Sequence, residues 1–206
     1  GLGDVYKRQT NNYSDDPKRF MDKLYMYKLG QAFDFDLEGL REPVLPSPDS
    51  KSWSSTDLGS VAIGYSVRET PLHTLTFYNA IANKGRMMKP YLVDKVTNAS
   101  GAVMKETDQK EYKQLMTAEE AAQIKEYMKS VVDYGTASVL SGQSYTAAGK
   151  TGTAEYSSDK EKDHSWFIGM SNVEDPELVV SVIIEASDGT AKAVNVAKEI
   201  FDSYYR

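Results

Sequence analysis

The sequence predicts an α+β domain in which an antiparallel sheet packs with helices. Residues 145–153, 165–170 and 178–186 read as strands, and the segments between them are too short to hold helices. Neighbouring strands must therefore pair antiparallel. Two upstream segments carry helix-start signals, Thr70-Pro71 and Thr117-Ala118-Glu119-Glu120. Residues 190–204 place Val194, Ala197, Phe201 and Tyr204 at helical spacing. Three strands with a helix behind them give two layers. A chain of 206 residues is long enough for one domain with a substantial core.

Pro17 opens the first helix, with Phe20, Leu24 and Tyr27 on one side and Gly30 as its stop. From residue 31 to 58, Pro43, Pro46 and Pro48 forbid a long regular element. Phe33, Phe35, Leu37, Leu40, Leu45 and Trp53 give this stretch enough apolar surface to pack as a long loop. At Thr70-Pro71 a capping hydroxyl precedes proline in the first helical turn. Leu72, Leu75, Tyr78 and Ala82 form that helix's apolar side and Gly85 ends it. Residues 91–96 read as a strand and 98–101 as a hairpin turn. Behind the capping box at Thr117, Ala121, Ile124, Met128 and Val131 recur at helical spacing up to Gly135. The nearly unbroken apolar run at 178–186 implies a strand buried on both faces.

Apolar residues make up 40% of the chain and charged residues 26%, ordinary for a globular domain. The net charge of -6, with no basic stripe, argues against nucleic acid as a partner. Cysteine is absent, which removes disulfides, thiolate nucleophiles and cysteine-ligated metals. His73 and His164 are too far apart in sequence to suggest a metal cluster, and no cofactor is implied. No apolar run reaches the roughly 18 residues of a membrane span. Residues 1–9 carry no helical or strand period and read as a cloning or assembly scar ahead of 10–206.

The chemistry concentrates at Ala147-Ala148-Gly149-Lys150-Thr151-Gly152-Thr153-Ala154. Lys150 supplies a positive field and hydrogen bonds. Thr151 and Thr153 stand two apart on a strand, so their hydroxyls share a face and can meet one carboxylate. The small residues at 147–149 and Gly152 let a ligand or another backbone approach. The N–H of Thr153 can point at an oxyanion. Read blandly, the same residues are an edge strand whose lysine discourages aggregation. A phosphate-binding loop is excluded: Gly149-Lys150-Thr151 would need its first glycine where Ser144 stands, and a helix where a strand is expected.

Several stretches together resemble the C-terminal part of the transpeptidase domain of class B penicillin-binding proteins. They are residues 37–46, 63–72 and 79–85, Gly149 to Ala154, and His164-Ser165-Trp166-Phe167-Ile168-Gly169, in the family's order. The wording of residues 33–48 is most similar to the division-specific enzyme of Bacteroidetes-like bacteria. The resemblance implies a β-lactamase/transpeptidase-like fold whose N-terminal part is not in this sequence. It implies a serine-type peptidoglycan D,D-transpeptidase, cross-linking stem peptides through an acyl-enzyme and blocked by β-lactam antibiotics. Lys150 would be its catalytic cation, and Thr151, Gly152 and Thr153 its binding strand for the D-alanyl-D-alanine donor. The implied setting is the periplasm, anchored to the cytoplasmic membrane by an upstream helix and partnered by division or glycosyltransferase membrane proteins.

The sequence departs from that pattern at the nucleophile. Its one Ser-x-x-Lys, Ser157 to Lys160, sits in a polar turn after the Lys-Thr-Gly strand instead of opening an upstream helix, and reads as a chance match. Ser-x-Asn is absent, Thr10-Asn11-Asn12 being a distorted echo. This chain alone is therefore expected to be inactive. A β-lactam sensor, a non-catalytic binding module and a β-lactamase relative are the competing expectations. His73 and His164 read as structural, and Trp166 and Phe167 as packing residues.

Overall fold

The computed structural model describes residues 7–8, 11–155 and 162–206. The chain divides into two compact units, Gly1–His73 and Thr74–Arg206. The echo at residue 10 and the Ser157 to Lys160 match lie outside the described residues, apart from Asn11 and Asn12. No described helix is long and apolar enough to cross a membrane.

In the first unit, α1 (Pro17–Met26) starts as expected. Asp16 caps it by accepting from the Arg19 N–H at 3.1 Å, and proline follows the cap. Its buried residue is Met21, with Phe20 and Leu24 half-buried. Tyr27 was expected on that side but lies 37% exposed, because the helix ends at Met26 and Tyr27 has left its phase. Gly30, at φ 73°, turns the chain away, and its N–H donates to the Glu69 carboxylate at 2.6 Å. The long loop packs as predicted: Phe33, Phe35, Leu40, Leu45 and Trp53 are half-buried, whereas Leu37 is exposed. A single antiparallel bridge joins Val44 to Arg68. A short helix, α2 (Asp57–Ala62), buries Leu58 and Val61 and was not anticipated. With six residues it is too short to display a period. His73 is structural: it is buried, its Nδ1 lies 2.7 Å from the Thr70 hydroxyl, and its ring lies 4.2 Å from that of Phe33.

Helix α3 (Pro71–Ala82) begins in the first unit and continues into the second. The predicted stripe of Leu72, Leu75, Tyr78 and Ala82 is only half-buried, while Thr76, Ala80 and Ile81 are buried. A helix enclosed around most of its circumference has no single apolar face to read. Two small ribbons follow. β1 (Arg86–Met88) pairs with β4 (Glu111–Gln114), and β2 (Lys95–Thr97) pairs with β3 (Val103–Glu106). The turn at 98–101 is present, but the strand expected at 91–96 is confined to Lys95–Thr97, and β1 and β4 were missed.

Helix α4 (Ala118–Asp133) carries the full capping box between Thr117 and Glu120. It buries Ala121, Met128 and Val132; Val131, assigned inward from its spacing, is half-buried. The main sheet is β5 (Ala147–Glu155), β6 (Asp163–Ser171) and β7 (Leu178–Ser187), antiparallel in that order. Helix α5 (Ala193–Tyr204) closes the chain.

The sheet has a helix layer on each face, not one. Ala147, Phe167 and Val180 pack with Ala193, Val194, Ala197 and Phe201 of α5. Ala148, Met170 and Val179, each an odd number of positions along its strand from those residues, belong to a second cluster with Ala121 and Met128 of α4 and Ile81 of α3. Successive side chains of a strand point to opposite faces, so these clusters lie on opposite sides. The two-layer expectation failed because it paired only the last helix with the sheet. Tyr204 is 54% exposed instead of facing the sheet, and Tyr205 stacks on Tyr145 at 5.1 Å. The Tyr145 hydroxyl donates to Asp202 at 2.8 Å, and Lys198 pairs with the same carboxylate at 2.6 Å. These bonds, Lys198 first, hold the Asp202 carboxyl below its usual range; burial, reinforced by Asp202, pushes the Tyr145 phenol up.

Candidate active site

Strand β5 is an edge strand among the described strands. Thr146, just before it, accepts a hydrogen bond from the N–H of Asn172 through its backbone carbonyl at 2.7 Å. In an antiparallel pair, alternate residues turn both backbone groups toward the partner. The register, with Ala148 opposite Met170 and Lys150 opposite Ile168, carries this alternation forward. Lys150 and Gly152 therefore bond toward β6, and Thr151 and Thr153 present N–H and C=O to the open edge. The Lys150 ammonium agrees with that polarity: it folds back and donates to the Thr151 carbonyl at 2.6 Å.

The side chains alternate as well. Thr151 and Thr153 lie on the α5 face, where they line a cleft of about 330 Å³ with Gly152, Thr136, Ser165 and Lys192. Lys150 is exposed on the other face and is not part of that lining. It makes no ion pair with any carboxylate among the described residues. The three threonine and glycine residues singled out from the sequence are thus brought together, with the lysine at the shared edge.

Gly149 does different work from that expected. A Cβ on Gly149 would fall 2.5 Å from the Phe167 ring, and one on Gly169 would fall 2.6 Å from it. Their missing side chains make room for Phe167, not for a ligand. A Cβ on Gly152 would meet that of Trp166 at 3.2 Å. Phe167 is wholly buried and Trp166 half-buried, in keeping with packing roles. His164 accepts from the Ala186 N–H at 3.3 Å, beside the register shift between Asp163 and Ser165. It pins strand β7, which fits its structural assignment.

Sequence reasoning missed Thr136, Ser165 and Lys192. The Ser165 hydroxyl accepts from the Ala193 N–H at 3.0 Å, capping α5 from another strand. A cap that distant in sequence leaves no local signal. Thr136 follows the C-terminus of α4, and its hydroxyl lies 2.5 Å from that of Thr151. Only the fold places the two side by side.

An open strand edge offering backbone N–H groups, two hydroxyls and an ammonium is suited to holding an acidic peptide end and a developing oxyanion. The comparisons with known proteins show the family to which the chain belongs. Residues 5–205 match the penicillin binding protein transpeptidase domain, and the chain belongs to that family. It is similar to penicillin-binding protein PbpB of Mycolicibacterium smegmatis, 28% identical over 85% of this chain and 28% of that protein. It is 30% identical to stage V sporulation protein D of Bacillus subtilis, over 82% of this chain and 27% of that protein. The chain thus spans little more than a quarter of these relatives. Among solved structures, the D,D-transpeptidase domain of a peptidoglycan glycosyltransferase from Eggerthella lenta superposes with a TM-score of 0.82 at 28% identity. That match covers 99% of this chain and 51% of the other.

Proposed function

We propose that residues 10–206 are the Lys-Thr-Gly-bearing, C-terminal portion of a serine-type peptidoglycan D,D-transpeptidase domain. The observation that carries this reading is the open edge of β5, where the Thr151 and Thr153 backbone groups face outward beside the cleft containing their hydroxyls. Relatives named peptidoglycan D,D-transpeptidase support it. In this reading a serine absent from this sequence attacks the carbonyl of the penultimate D-alanine of a donor stem peptide. The Lys150 charge lowers the cost of forming the alkoxide and the tetrahedral oxyanion. The Thr153 N–H is one oxyanion donor, and the Thr151 and Thr153 hydroxyls bind the terminal carboxylate. Gly152 lets the donor backbone lie close to the strand. Collapse of the oxyanion breaks the peptide bond and releases D-alanine with a proton on its nitrogen. An amine of an acceptor stem then attacks the ester and restores the serine hydroxyl. β-Lactams enter as donor mimics. The division-type, Bacteroidetes-like assignment, which rests on the wording of residues 33–48, and the membrane-anchored periplasmic setting with membrane-protein partners, which rests on the family resemblance as a whole, belong to the same proposal.

Intact-mass measurement after incubation with benzylpenicillin tests this reading. The chain of residues 1–206 is expected to stay unmodified, and the gene product that includes the upstream Ser-x-x-Lys to gain one drug mass. A drug adduct mapped to any serine within 1–206 would contradict it.

A further inference from the structure

We infer that Thr136 is a positioning residue for carboxylate recognition, fixing the direction in which the Thr151 hydroxyl points. The inference rests on the reading of Thr151 given above. The two hydroxyl oxygens lie 2.5 Å apart, and both residues line the same cleft. Either hydroxyl can donate in this pair. A carboxylate decides the direction, because it only accepts. With an anion in the cleft, Thr151 spends its proton on the anion, and Thr136 must donate to Thr151. The second hydroxyl then polarises the first, and the chain of two donors binds an anion better than a lone hydroxyl.

Thr136 is built to do this without reorganising. Its neighbours fix its backbone: the Ala137 side chain is wholly buried, and the Ala137 N–H donates to the Val131 carbonyl at 3.1 Å. On the other side, a Cβ on Gly135 would lie 2.8 Å from the same carbonyl, so the chain is drawn tightly against the end of α4. The next N–H, of Ser138, returns to the Gly135 carbonyl at 3.3 Å. Thr136 itself is exposed, so its hydroxyl is not needed to satisfy a buried group. An exposed side chain on a rigid support, aimed at a binding residue on a different element, is the arrangement expected of a positioning group.

The test titrates the isotopically labelled chain with N-acetyl-D-alanyl-D-alanine, and with the same dipeptide as its C-terminal amide. The amide resonances of Thr151 and Thr153 report binding. The wild-type chain should bind the acid more tightly than the amide. Thr136→Val should weaken acid binding about threefold to tenfold, the worth of one neutral hydrogen bond, and leave amide binding unchanged. Thr136→Ser should restore it. Equal acid binding by wild type and Thr136→Val overturns the role of Thr136 and leaves the carboxylate reading of Thr151 standing. No response of the wild type to the acid overturns both. Parallel loss of acid and amide binding in the valine variant, unrescued by serine, makes Thr136 a structural residue and overturns the inference. If Thr136→Val does not give a folded spectrum, Thr136→Ala replaces it; failure of both to fold also overturns the inference.

Discussion

The β5–β6–β7 sheet and the β2–β3 ribbon are both antiparallel, yet they are held by different means. In the sheet, clusters on both faces fix the register: slipping one residue would exchange Ala147 with Ala148 and drive Phe167 out of its pocket. In the ribbon every strand residue is exposed, including Val96, Val103 and Met104. Its register is set by the turn instead, where the Asn98 side chain accepts from the N–H groups of Ser100 and Ala102. Burial specifies the sheet that carries the candidate site, and local turn chemistry specifies the ribbon.

The comparison breaks most sharply at Phe167. Phe167→Ala should cost about 3–5 kcal/mol in denaturant unfolding, whereas Met104→Ala in the ribbon should change stability by less than about 0.5 kcal/mol. Gly169→Ala comes next, at about 1–3 kcal/mol, since its new methyl would sit 2.7 Å from the Ala148 carbonyl as well as against Phe167. Thr117→Ala removes the capping box of α4, which packs on the sheet, and should lower stability by about 1 kcal/mol in the same assay.

A smaller effect depends on pH and arises in the first unit. Burial holds the His73 imidazole below its ordinary 6.5. The unfolded chain therefore takes up a proton that the folded ring refuses, and stability falls as pH drops below about 6.5. Glu69 acts in the opposite sense. Burial raises its carboxyl above 4.5, so the folded state keeps a proton that the unfolded chain loses, and stability falls as pH rises through that raised value. His73→Gln should flatten the loss below about 6.5, and Glu69→Gln should flatten the loss on the alkaline side of 4.5. Thermal melts across about pH 4–8 on each variant measure both slopes.

The elements legible in the sequence were those whose signals are local. Thr117 and Glu120 announce a helix start through bonds within one turn, and the apolar run of β7 announces packing on both sides, though only Val180 and Ser187 of that strand are buried and most of its other residues are half-buried. Inward faces were less legible, as Val131 against Val132 and Tyr204 against Tyr205 show, because a layer on each side of a sheet widens the stripe a helix must bury. The ribbon strands β1 and β4 were invisible because β1, with Met87 buried, is only three residues long, and the exposed β4 has no reason to alternate. At the site, the threonines at 151 and 153 could be read from their spacing. The contact of Thr136 with Thr151 spans fifteen residues, and the Ser165 cap on Ala193 spans twenty-eight; neither follows from any local pattern.

Residue-resolved hydrogen exchange along β5 tests the central claim most directly. With the Thr151 and Thr153 amides on the open edge and those of Lys150 and Gly152 bonded toward β6, exchange should be fast at 151 and 153 and slow at 150 and 152. The reverse pattern, slow at the threonines and fast at Lys150 and Gly152, would mean that the strand presents its other edge, and that the Thr153 N–H cannot serve an oxyanion.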